Sequence, residues 1–181
     1  MRAPRPGGER ERRASQNGAA TRTRDRDARG RPRNARPRDQ FGRPLRRDAS
    51  GEPPLPDGPA LSPDAALDLA QELIDSGRAF QAHEVLEASW KAAPAHEREL
   101  WKGLAQVAVG LTHAQRGNAT GAVVLLRRGG QRVAEYAQSP PHRISAAAVA
   151  RHATELADRI DRDGLAAASP ATLRVSLRGA R

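Results

Sequence analysis

Apolar residues recur at helical spacing in five successive stretches between Ser62 and Asp161. Ser62-Pro63-Asp64 offers an N-cap oxygen, a proline at the first helical position and an acid in the first turn. It predicts a helix from Pro63 to about Ser76 that presents Leu67, Ala70, Leu73 and Ile74 and is stopped by Gly77. A second helix should end before Pro94, because proline disfavours helical geometry at the residue before it. A third, from about His96 to Arg116, is apolar on most sides through Leu100, Trp101, Leu104, Val107, Ala108, Val109, Leu111 and Ala114, which predicts a central position. The fourth spans Ala119 to Ala137, with Gly129-Gly130 expected to weaken or bend it. The fifth, from Ser145 to Asp161, carries Val149, Ala153, Leu156 and Ile160. Leu173 to Leu177 alternates with a period of two, but a lone strand has no partner in a helical domain, so an extended tail packed along the bundle is expected.

The pattern predicts an all-α fold, a compact bundle of about five helices built from antiparallel hairpins. Two of the turns look related: Gly77 to Ala82 before Val85-Leu86 parallels Gly117 to Ala122 before Leu125-Leu126, at an offset of 40 residues. That resembles the tetratricopeptide helix-turn-helix, whose period is about 34 residues with at least three copies. The mismatch favours convergent hairpin chemistry, with a peptide-binding helical array as the alternative.

Composition divides the chain of 181 residues. Residues 1–60 hold 16 arginines against 8 acids, whereas residues 61–181 hold 15 lysines and arginines against 13 acids. Besides Met1, the large apolar residues of the first third are Phe41, Leu45 and Leu55, too few to offset about 1–2 kcal/mol of backbone entropy per ordered residue. Residues 1–60 are therefore expected to be a disordered basic arm, ending in a stiffer Pro53 to Pro59 spacer. The helical domain is placed at 61–162 and the tail at 163–181. Cysteine is absent, which excludes disulfides and thiolate chemistry. No apolar run approaches the ~20 residues of a membrane span, and Arg12-Arg13 lacks the apolar stretch of a twin-arginine signal. The simplest expectation is a cytoplasmic protein that does not enter membranes.

The second helix carries the conflict that decides the candidate chemistry. Ala79, His83, Leu86, Trp90 and Ala93 share one face, with Glu87 one turn beyond His83 at its edge. Ionisable groups on an apolar stripe need partners. On the third helix Gln106, Gly110 and His113 share a face, and a helix can approach closely over Gly110. If that neighbour is the second helix, His83, Glu87, Gln106 and His113 converge in a buried cluster beside Trp90. Such a cluster is either a structural clasp or a site for metal or acid-base chemistry, with His83, Glu84, Glu87 and His113 as catalytic candidates. His83-Glu84-Val85-Leu86-Glu87 lacks the second histidine of a zinc-protease helix, and no histidine follows a glutamate at the Glu-x-x-His spacing of di-iron bundles. No metal and no other cofactor is expected. Phosphate-loop, nucleophile-elbow and dinucleotide signatures are all absent. His96, His142 and His152 fall at helix ends or surfaces and receive no role, and Glu97 and Glu99 are accounted for by the helix dipole.

Phe80-x-x-His83-Glu84-x-x-Glu87-x-x-Trp90, then Gly103-Leu104-x-Gln106-x-Ala108 with His113, then Gly117-Asn118-x-x-Gly121-Ala122-x-x-Leu125-Leu126 resembles the bacterial and archaeal family catalogued as domain of unknown function 309. The resemblance covers about 50 residues, from Gly77 to Leu126. It implies a small all-helical domain of about five helices and no particular activity. Gly129-Gly130 departs from its pattern.

The function expected from these features is a non-enzymatic binding or scaffold module. The alternative is a small metal-dependent or acid-base hydrolase using His83, Glu87 and His113. Expected partners are RNA or DNA along the arm, or a protein or peptide. The cationic candidates are Arg22, Arg24, Arg26, Arg29, Arg31, Arg33, Arg36 and Arg38, with Phe41 as a stacking surface.

Overall fold

The computed structural model describes residues 36–53 and 61–179. The disorder and the proline spacer expected for 1–35 and 54–60 lie outside these residues, as do Arg22, Arg24, Arg26, Arg29, Arg31 and Arg33. Five α-helices follow in order: α1 (Pro63–Asp75), α2 (Ala79–Ala92), α3 (Arg98–Gln115), α4 (Ala119–Ala134) and α5 (Ala146–Asp163). Each packs against the next. Ser62 caps α1 as its sequence predicts, accepting from the Ala65 amide at 3.3 Å.

The α1–α2 and α3–α4 turns are closed by one device. Gly77 and Gly117 adopt φ of +77° and +84°, and the following amides reach back to Leu73 O at 2.7 Å and His113 O at 2.9 Å. That is the Schellman closure, which needs glycine in the left-handed region. The two stretches that look alike in sequence therefore turn alike.

Trp101, Leu104 and Leu111 of α3 are almost wholly buried with Leu67, Leu86, Leu126, Leu156 and Ile160 from the other helices, so α3 is the middle of the core. Helix α4 is continuous through Gly129-Gly130, against the expected bend. Both glycines are interface residues. A Cβ at Gly129 would lie 2.8 Å from Gly103 O and from the Val107 amide nitrogen, and one at Gly130 would lie 3.2 Å from Ala150 O. The missing side chains let α3 and α5 close on either side of α4, and that tertiary gain outweighs glycine's weak helix propensity.

The C-terminal tail begins with a short 3-10 turn, Gly164–Ala167, makes a further turn over residues 170–173, and from Arg174 runs extended beside α1 and the start of α5. Val175 and Leu177 are buried. The tail pairs with the backbone before α5, where Ser145 N donates to Leu177 O at 2.9 Å, and the Gln71 amide takes up its other side: its Nε2 donates to Val175 O at 3.2 Å and its Oε1 accepts from the Leu177 amide at 2.7 Å. Arg178 then pairs with Asp64 at 2.7 Å and Asp68 at 3.0 Å.

Residues 36–53 differ from expectation. They belong to the folded body, as a strap of tight turns over α2 and the α3–α4 turn. Their shortage of apolar residues denies them a core of their own. The strap instead uses the surface of the bundle, with backbone bonds such as Leu45 N to Pro37 O and Glu52 N to Arg38 O, at 2.8 and 2.7 Å.

Candidate functional site

Helix α2 presents Phe80, His83, Glu84, Glu87 and Trp90 as a half-buried stripe. Its first turn lies under the strap. Gly42, at φ +72°, sits so close on the Phe80 ring that a side chain there would collide with it. The guanidiniums of Arg38 and Arg116 lie 5.3 and 5.5 Å from the ring centroid, within cation–π range. The strap is pinned beside them by Arg116 Nε donating to Phe41 O at 2.6 Å and by an Arg78–Glu52 ion pair at 2.8 Å.

One turn further, the His83 and Phe80 rings are 6.1 Å apart. His83 Nε2 approaches Glu87 Oε2 only to 4.0 Å, too far for a hydrogen bond. Glu87 also meets Lys91 at 3.2 Å. Burial pushes the His83 pKa below its ordinary value; Glu87 opposes the shift, while Lys91 and Arg116 add to it. Burial pushes the Glu84 carboxyl up, against the pull of nearby Arg38. The stripe ends at Trp90, whose ring carries the Lys102 ammonium at 5.8 Å.

The expected convergence with α3 depended on which helix crosses Gly110. That helix is α4: a Cβ on Gly110 would lie 2.7 Å from Leu126 Cγ. The Gln106–Gly110–His113 face is therefore turned to α4 rather than α2. His113 Nδ1 lies 2.8 Å from Asn118 Nδ2 at the start of α4, and burial lowers its pKa. Gln106 Oε1 is buried and accepts no hydrogen bond among the described residues. No hydrogen bond among the described residues joins His83 or Glu87 to Gln106 or His113, so the four do not form the hydrogen-bonded clasp. Nor, among those residues, do three histidine or acidic side chains group closely enough to hold a metal ion. Among the described residues, His83, Glu87 and His113 therefore do not make up a three-ligand metal site.

A different polar cluster forms where the α4–α5 link meets the start of α3. Glu97, just before α3, is buried, and its Oε2 accepts from Trp101 Nε1 at 3.1 Å and lies 2.8 Å from His142 Nε2. Burial raises the Glu97 pKa, but the hydrogen bonds from His142 and Trp101 more than reverse it and leave the carboxyl below its usual range. Tyr136 donates to His96 O at 2.9 Å, closing the same end. The link between α4 and α5 is thereby tied to the start of α3, with His142 and Arg143 both held at φ +56°. The Glu97–Trp101 spacing of one helical turn was a readable signal. His142 had none, since its approach depends on how the α4–α5 link folds.

Comparison with known proteins agrees with the motif. Residues 67–125 match the family described as Domain of unknown function (DUF309). The chain is similar to the uncharacterized protein YpuF of Bacillus subtilis (strain 168), 38% identical over 67 residues, which cover 36% of this chain and 38% of that protein. The chain thus spans well under half the length of that curated relative. No solved structure matches.

Proposed function

From the premise that this chain carries a DUF309 domain at residues 67–125, we propose that it is a non-enzymatic binding module. Its helical body anchors the arginine-rich segment and presents it to nucleic acid. The observation that carries this reading is the seating of the strap on the Phe80 end of the α2 stripe, with Arg38 over the ring and Gly42 against it. The stripe acts as a seat: Phe80 holds the guanidinium, and Glu84 adds an electrostatic pull on Arg38. Directly before the strap, residues 1–35 hold 11 arginines against 4 acids. A cationic stretch rooted on a folded body suits phosphate contacts of low sequence preference.

The test is the salt dependence of single-stranded RNA binding by the whole chain and by a chain lacking residues 2–35. The whole chain is expected to bind about tenfold or more tightly at low salt, with the steeper loss of affinity as salt rises. Equal affinities and equal slopes would refute the reading.

A further inference from the structure

We propose that Arg38, Arg43 and Arg116 form a phosphate site for the backbone of a single-stranded nucleic acid, built jointly by the strap and the α3–α4 turn. The inference rests on the nucleic-acid reading above and gives it a fixed location on the folded body. Many arginines of this chain are neutralised by acids: Arg78 by Glu52, Arg127 by Asp158 and Asp161, Arg132 by Glu99, Arg178 by Asp64 and Asp68. These three are bonded differently. Arg38 donates to Gly42 O, Arg43 Nη2 to Arg116 O at 2.9 Å, and Arg116 Nε to Phe41 O at 2.6 Å. A carbonyl satisfies a donor without cancelling the charge. Among the described residues none of the three is in an ion pair. Two acids lie nearby: Glu84 attracts Arg38 without forming an ion pair, and Asp39 shapes the turn, its Oδ1 accepting from the backbone amides of Phe41 and Arg43 at 3.0 and 2.7 Å.

The cations are also crowded. Arg38 and Arg116 share the Phe80 ring, and Arg43 lies 5.7 Å from the neighbouring Phe41 centroid. Among the described residues, Arg116 Nη2 is buried with no hydrogen-bond partner. Burial lowers the Arg116 pKa; Asp39 opposes this, and repulsion from Arg38 and Arg43 reinforces it. Gathering like charges in partial burial is unfavourable until an anion joins them. Guanidinium forks match the spacing of phosphate oxygens, and each of these arginines has N–H groups left over. Positive charge continues into the segment before Arg36, so a polyanion fits better than a single small anion. Arg116 makes the site more than an extension of the cationic segment, because it comes from the helical body.

The full chain is titrated with a labelled single-stranded RNA of about 12 nucleotides, and with DNA of the same sequence, between about 50 and 200 mM salt. Arg43→Gln and Arg116→Gln are each expected to weaken binding to both by about tenfold. Each should also flatten the salt slope by about 0.7. Arg127→Gln, which removes a cation already paired with two aspartates, should leave both unchanged. If Arg116→Gln loosens the strap, Arg43→Gln decides, since Arg43 is exposed. Failure of the unaltered chain to bind either strand overturns the nucleic-acid reading and this site with it. Normal binding in which Arg43→Gln behaves like Arg127→Gln overturns the site alone. A loss confined to RNA would also overturn it, because a backbone phosphate site does not sense the sugar.

Discussion

Glu84 and His83 stand side by side on α2, and burial shifts both toward their uncharged forms. For His83 the folded pKa lies below the ordinary 6.5, as it does for His113 and His152, again chiefly through burial. The unfolded chain then binds more protons than the folded one below pH 6.5, so stability is complete above that value and is lost as pH falls toward the folded pKa. The thermal midpoint should therefore drop between about pH 7 and pH 5.5, and less steeply in His83→Gln; parallel curves for the two proteins would contradict this account of His83. Glu84 has the opposite sign. Its raised pKa means that stability is complete below the ordinary carboxylate value and is lost as pH rises through the folded pKa, so Glu84→Gln should raise the midpoint at neutral pH but not at pH 4. At the other end of the bundle, Glu97→Ala would strand the Trp101 indole N–H in the core and release His142. Chemical denaturation should show a loss of about 1–3 kcal/mol. A change near zero would mean that this cluster is not structural.

At the scale of elements, periodicity and caps were enough to place all five helices, because each hides one apolar stripe and has a recognisable stop. What they could not show was which faces meet. Gly129-Gly130 read as a defect by helix propensity, yet it is where α4 touches two neighbours. Gly110 correctly signalled a close crossing, but the crossing helix is α4, so this glycine does not bring α2 against Gln106 and His113. Crossing partners are fixed by the whole core rather than by local spacing. Gly129→Ala tests which effect governs α4. Propensity alone predicts a gain of about 1 kcal/mol, whereas the backbone atoms 2.8 Å from the added Cβ predict a net loss of about 1–3 kcal/mol. A stabilised variant would contradict the packing account.

At the scale of the molecule, the helical body is completed by two segments without regular secondary structure. The tail adds Val175 and Leu177 to the core, and fully burying such side chains contributes about 1.5–3 kcal/mol each. The strap has almost no apolar content and is held by arginine, turns and one phenylalanine ring. Composition therefore hid it, since counting apolar residues tests only whether a segment can fold alone. The α2 motif is legible in the sequence, whereas its use as a seat for the strap depends on residues some forty positions upstream.

Among the described residues, no helix is long and apolar enough to cross a membrane. The surface left to explain is the cationic one gathered at the strap, and both functional proposals depend on that strap being seated on Phe80. Amide hydrogen exchange measures the seating directly, at Gly42, Leu45 and Glu52, whose amides bond to Asp39, Pro37 and Arg38 carbonyls at 2.8, 2.8 and 2.7 Å. Slow exchange at these amides in the unaltered chain, lost in Phe80→Ala while the amides of α5 stay protected, is the predicted result. Exchange at the rate of an unstructured peptide in the unaltered chain would contradict it.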